Sequence, residues 1–266
     1  MSNAKSQLLQ VLIEIVSQDQ HRIKQAEALL KQWENSPNFF ITLQDIFCDR
    51  SMDEAVRMLC GIYLKNGIDR FWRRSAKNPI SPEEKNMIRE RLLQSVDEPS
   101  KKARYSFVCF VSKKKKKKKK KLTAQNAAII AKIARLDYPQ TWPELFPTLI
   151  QSIQTVDFHQ QDYARLVHYR ILEIWNEVLL ELASRRLVLG RQQFADIVPT
   201  MFQTVAQVYV AYVDPAAAGT EQALVVELEI VSLCLQCLKT LLSRGVKDIQ
   251  SYEEPKVRER ETTPSP

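Results

Sequence analysis

The chain has 266 residues, 45% of them hydrophobic and 26% charged, which is enough apolar material for one large core or a row of smaller ones and excludes disorder throughout. A formal net charge of +8 would ordinarily point to a polyanionic partner, but nine consecutive lysines, Lys113 to Lys121, carry more than the whole excess, and the remainder stands at −1. No stretch approaches the roughly 18 uninterrupted apolar residues of a membrane span, and residues 1–5 do not open onto a signal-peptide core, so we expect a soluble intracellular protein without membrane insertion.

Five glycines are few, and the apolar residues recur every three to four positions instead of alternating, so the fold class is all-α. Leu8, Leu12, Ile15 and Val16 mark a first amphipathic helix and Ile23, Ala26, Leu29, Leu30 and Trp33 a second. The polar stretch 17–20 between them can cap the second helix, and the pair should fold back as a hairpin. Asn35-Ser36-Pro37 breaks the pattern. A second pair follows, first through Phe40, Leu43, Ile46 and Phe47, then through Val56, Leu59, Cys60, Tyr63, Leu64 and Ile68, with its turn at 49–53. Ser81-Pro82-Glu83-Glu84 combines an N-cap, proline at the first helical position and acids in the first turn, and should open a helix through Ile88, Leu92 and Val96. Further helices are read over 122–136, from Thr141-Trp142-Pro143-Glu144 through Ile153, and over 163–182, 194–213 and 222–242.

These segments form about five helix pairs at intervals near 40 residues, the period of HEAT or armadillo arrays. Each hairpin exposes more apolar surface than it can hide alone, and stacking on its neighbours buries it. A compact bundle of the same helix count is the alternative at this point.

Three islands carry a family resemblance: Ala26 to Trp33 with Pro37 and Phe39; Val56-Arg57 leading to Tyr63-Leu64-Lys65-Asn66-Gly67-Ile68; and Ile133 to Pro147. Their order and spacing resemble the N-terminal domain of the importin-β (karyopherin-β) superfamily over about residues 8–242. The resemblance implies a HEAT/armadillo-type α-solenoid that works as a nuclear transport receptor, with no catalysis and no cofactor. It implies as partners the GTP form of the GTPase Ran, phenylalanine-glycine nucleoporins, and import cargo held by later repeats missing from this chain. It places such a protein in nucleus and cytoplasm and at the nuclear pore. In the family the second helices of hairpins face Ran, so the resemblance assigns Lys65 and Asn66 as Ran contacts, with Asp69 and Arg73 beside them; a solvated helix end is the other reading of these residues. Trp33, Trp72, Trp142 and Pro143 are read as scaffold, aromatics that lock hairpins and a proline at a helix start.

Set beside the family pattern, 103–121 is an insertion. An apolar stretch, Tyr105 to Val111, runs into the lysine run, whose like charges should keep it extended in solvent. The chain is therefore divided into repeats over 1–102, an inserted and disordered segment 103–121, repeats again over 122–245, and a charged, proline-bearing tail 246–266 read as disordered. The lysine run is not expected to specify a nucleic-acid partner, although a nucleic-acid binder and a general HEAT scaffold remain as competing functional classes. Cys234 and Cys237 have half the spacing of a metal or redox site but no second pair, and with Cys48, Cys60 and Cys109 they read as reduced thiols, mostly packed on helices. No metal site follows from His21, His159 and His168, and no nucleotide loop or catalytic constellation is present in the sequence.

Overall fold

In the computed structural model, which describes residues 3–17, 19–94, 122–156, 161–214 and 220–245, the regular structure is helical throughout. The helices are α1 (Asn3–Val16), α2 (Gln20–Trp33), α3 (Phe39–Cys48), α4 (Glu54–Phe71), α5 (Pro82–Gln94), α6 (Leu122–Asp137), α7 (Leu145–Gln154), α8 (Gln161–Ala183), α9 (Val188–Tyr212) and α10 (Glu221–Thr240), the last continuing into a π-helical turn, Leu241–Gly245. The inserted segment 103–121 and the tail from 246 lie outside the described residues.

Local chemistry sets several helix starts. The Asp19 carboxylate accepts the backbone N–H groups of His21 and Arg22, and that of Asp53 accepts those of Ala55 and Val56. Ser81 Oγ accepts the Glu84 N–H ahead of Pro82, as its sequence signature requires. Several expectations need correction. Thr141-Trp142-Pro143-Glu144 is a turn, not a first helical turn: α7 begins at Leu145 with Glu144 at its cap position and no side-chain cap bond, so Pro143 precedes the helix. In α1 the buried face is Leu8, Val11 and Leu12, and Val16 is exposed.

Consecutive helices pair as hairpins, and the hairpins stack in two rows. α1 packs on α3, α3 on α5 and α5 on α7, while α4 packs on α6, α6 on α8 and α8 on α10. One continuous apolar core runs through the stack. This is the repeat architecture expected from the sequence, and a closed bundle would not give contacts restricted to each helix and the next repeat.

α4 approaches α3 closely because two of its residues are glycines. A Cβ built on Gly67 would lie 2.0 Å from Phe40 Cε1, and one on Gly61 2.8 Å from Phe47 Cε2. Long-range polar contacts then fix how one repeat meets the next. Arg185, in the turn between α8 and α9, donates through Nη2 to the carbonyls of Ala134, Arg135 and Tyr138 at 3.0, 2.9 and 2.7 Å, closing the C-terminal end of α6. Arg165 on α8 meets Glu227 on α10 at 2.8 Å with both side chains buried.

Between α8 and α9 the buried His168 uses both ring nitrogens. The Ile153 carbonyl can only accept, so Nε2 carries the proton toward it at 3.3 Å, and Nδ1 accepts from the Tyr212 hydroxyl at 2.7 Å. Burial pushes the imidazole below its ordinary value and pushes the Tyr212 hydroxyl up to about 12, so the ring is neutral and the phenol keeps its proton.

Two measurements test this packing. Gly67→Ala gains about 1 kcal/mol of helix propensity but overpacks against Phe40 at about 1–3 kcal/mol, so the urea midpoint should fall. For His168, whose folded value lies below the unfolded one near 6.5, the neutral form is the one the fold favours; its contribution is full above that value and is lost as pH falls below it. The loss in urea midpoint between pH 7.5 and 5.5 should shrink in His168→Asn, values chosen to bracket the roughly 6.5 reference for histidine.

Candidate functional site

Helical periodicity divides α4 into two faces. Val56, Cys60, Leu64, Gly67 and Ile68 are buried against α3 and α6, and Lys65, Asn66 and Asp69 lie away from them, Lys65 half-buried and the other two exposed. The structure thus brings three of the four expected contact residues onto one helix. Arg73 is exposed but falls in the turn after α4 ends at Phe71.

The neighbours of this face were not evident in the sequence. Asp69 is paired with Lys132 of α6 at 2.5 Å, both side chains remaining partly in solvent. One turn further along α6, Arg135 reaches Glu181 of α8 at 2.8 Å and also donates to Ser184 Oγ. A charged row therefore runs from α4 across α6 to α8. It ends in an acidic stripe on α8, where Glu177 lies between Glu173 and Glu181; burial raises the Glu177 carboxyl, and the two flanking carboxylates add to the shift. Lys132 and Arg135 belong to this row with as good a claim as Asp69. Their three-residue spacing on a helix is the only signal the sequence offered, because their partners lie 46 to 63 residues away.

Arg70, beside the expected residues, faces elsewhere. Its guanidinium holds both oxygens of Glu34 at the end of α2, at 2.9 and 2.5 Å, and sits 4.9 Å from the centre of the Phe71 ring. The tryptophans differ in burial. Trp72 and Trp142 are each 2% exposed, with the Lys85 ammonium 5.7 Å from the Trp72 ring, and Trp33 is half-buried against the core. Pro143 is exposed in its turn.

Three cysteines are buried away from reactivity. Cys60, Cys234 and Cys237 are buried and unpaired, and burial raises the thiols of Cys60 and Cys234 to about 12 and that of Cys237 further still, which keeps them as protonated packing groups. Among the described residues no group of three histidine, cysteine or carboxylate side chains has metal-binding geometry, and no helix is long and apolar enough to cross a membrane.

An open stack of helix hairpins with a charged row along successive helices defines a helical-repeat protein. Residues 26–98 match the family model described as the importin-beta N-terminal domain, and residues 119–251, half of the chain, match the one described as exportin 1-like protein. Importin-11 of Mus musculus and importin-11 of Homo sapiens are each 34% identical over 249 residues, which is 92% of this chain and 23% of those proteins. The importin beta-like protein kap113 of Schizosaccharomyces pombe is 34% identical over 191 residues, 70% of this chain and 17% of its own. Among solved structures, Lph2 of S. cerevisiae, described as a bidirectional nuclear transport receptor, superposes with a TM-score of 0.70 at 27% identity over 88% of this chain and 20% of that one. The exportin Cse1 in its cargo-free, cytoplasmic state shares the fold, with a TM-score of 0.60 at 16% identity over 90% of this chain and 23% of that one. The chain belongs to the importin-β (karyopherin-β) superfamily, and it spans less than a quarter of the length of these relatives.

Because Asp69 and Lys132 are both partly solvated, their pairing should orient the row without stabilising the fold much. A double-mutant cycle of Asp69→Ala and Lys132→Ala, followed by urea unfolding, should give a coupling below about 1 kcal/mol.

Proposed function

We propose that this chain corresponds to the amino-terminal region of a nuclear transport receptor that binds a Ran-type GTPase in its GTP form and takes part in nucleocytoplasmic protein import. The observation that carries the reading is the polar face of α4, with Asn66 and Asp69 exposed and Lys65 half-buried, inside the segment that matches the importin-beta N-terminal domain. A GTPase docks as a folded surface, and the charged row from α4 to α8 offers it a strip of fixed charges instead of a pocket.

Lys65 supplies an ammonium and Asn66 an amide that can donate and accept, so both can pair with carboxylates and main-chain groups of the GTPase. Asp69 orients Lys132 toward the same strip, and Arg73 extends it at the turn. The activity is recognition: binding differs between compartments because the nucleotide state of the GTPase differs, and GTPase and cargo oppose each other through negative linkage on one receptor. Import cargo belongs to the later repeats of the longer relatives, phenylalanine-glycine nucleoporins are further partners, and the protein shuttles between nucleus and cytoplasm through the pore. No catalytic step is part of this reading.

The test is pull-down of the full chain by Ran locked with GTP and with GDP. The GTP form should be preferred, and Lys65→Ala with Asn66→Ala should weaken its binding by about tenfold or more, the loss of about 1.4 kcal/mol, with the helical circular dichroism spectrum unchanged. Equal binding of both nucleotide states would leave a general HEAT scaffold, and unchanged binding by the double variant would remove α4 from the contact.

A further inference from the structure

Between α4 and α5 the chain leaves the helical stack. Residues 72–81 form no regular element, and the Ile80 N–H donates to the Phe71 carbonyl at 3.0 Å, which ties the two ends of the loop together. Trp72 and Ile80, 2% and 5% exposed, anchor those ends in the core, while Arg73, Arg74, Ser75, Lys77, Asn78 and Pro79 are exposed. Inside the tip the Ala76 N–H donates to the Arg73 carbonyl at 3.1 Å and holds a local turn. Opening that bond lets the tip extend without disturbing either helix.

Ser75 sits at this tip with its hydroxyl unused. The Ser75 hydroxyl, the Arg73 guanidinium and the Lys77 ammonium have no hydrogen-bond or ion-pair partner among the described residues. Successive side chains of an extended segment point to opposite faces, so residues two apart share one. Once extended, the tip presents Arg73, Ser75 and Lys77 together, a hydroxyl with a cation on either side. A kinase cleft that takes its substrate in extended form, with carboxylates on both sides of the phosphoryl-transfer point, is complementary to that set. Sequence spacing offers a rival, Ser184 followed by Arg185 and Arg186, and the structure closes it. The Ser184 hydroxyl donates to the Glu181 carbonyl at 2.7 Å and accepts from Arg135, and Arg185 is spent on the carbonyls at the end of α6.

We propose that Ser75 is a phosphorylation site for serine/threonine kinases that read a cation two residues before and two residues after the acceptor, and that its phosphate withdraws Arg73 from the GTPase contact. Ser75 Oγ attacks the γ-phosphorus of Mg-ATP, the bond from that phosphorus to the βγ-bridging oxygen breaks, ADP leaves, and the hydroxyl proton passes to the catalytic carboxylate of the kinase. The product carries a charge of about −2 beside Arg73, Arg74 and Lys77 and pairs with them in place of outside partners. The acceptor site stands on the loop alone; the withdrawal of Arg73 rests on the GTPase reading.

The experiment incubates the full chain with Mg-ATP and an active arginine-directed kinase of the protein kinase C type, and reads each serine by mass spectrometry. Ser75 should be modified and Ser184 should not. Arg73→Gln with Lys77→Gln should slow modification of Ser75 by about tenfold or more, the effect of losing charge-assisted pairs with the kinase. No phosphate at Ser75, Ser184 modified as fast as Ser75, or a double variant modified at the parental rate would each overturn the acceptor site. Binding to GTP-locked Ran is then compared between the treated chain and an equally treated Ser75→Ala chain, so that phosphate elsewhere cancels. The treated parent should bind about tenfold more weakly, and equal affinities would overturn the withdrawal of Arg73. An untreated chain without preference for GTP-locked Ran would sink the GTPase reading and the withdrawal of Arg73 with it, while the modification data alone decide the acceptor site.

Discussion

Helix α8 must be covered on two sides, and most of the architecture follows from that. Ile171, Leu172, Trp175, Val178 and Leu179 are fully buried and spread too widely around the helix for one neighbour to hide. α6 covers one side and α10 the other, and the same demand repeats from α4 to α6. Each large side chain contributes about 1.5–3 kcal/mol when buried, against about 1–2 kcal/mol per residue for ordering the backbone, so a lone helix of this kind would not hold. A hairpin is therefore stable only as a member of the stack, and the stack is necessarily open at its sides. That openness is what makes long surfaces available to partners.

Apolar contact alone is poor at fixing register, since one greasy stripe slides on another at small cost. The polar ties supply it. Arg185 gathers three carbonyls at the end of α6, and Arg89 of α5 meets Asp137 at the end of α6 at 2.5 Å, so two arginines from different repeats hold the same corner. Burial lowers the Arg185 guanidinium value first, and the nearby Arg135 charge lowers it again, yet three carbonyl acceptors compensate the buried cation. Arg165 with Glu227 does the same between α8 and α10. Once the register is set, the charged groups that remain outside, from Asp69 to Glu181, fall into a row instead of a scatter.

The helices and their order were legible because amphipathic spacing and local caps are written in neighbouring residues, as at Asp19 and at Ser81 with Pro82. The α7 start was misread because Thr141 to Glu144 has the composition of a helix opening while α6 ends only at Asp137, and the chain uses those residues to turn back. α9 begins at Val188, six residues before the apolar periodicity becomes clear at Phe194, since Leu187 caps it without a side-chain acceptor. The solvent-facing side of α4 was legible from Lys65 and Asn66. The tie of Asp69 to Lys132, the closing of α6 by Arg185 and the space Gly67 leaves for Phe40 were not, since each joins residues far apart in sequence and appears only after the repeats have stacked.

Hydrogen exchange of the full chain, resolved by helix, tests the stacking account most directly. α6 and α8, covered by repeats on both sides, should exchange slowest and at matching rates, and α2, which packs chiefly on α1, should exchange fastest among the helices. Protection in α2 equal to that in α8, or an α6 that opens while α8 stays closed, would contradict the account.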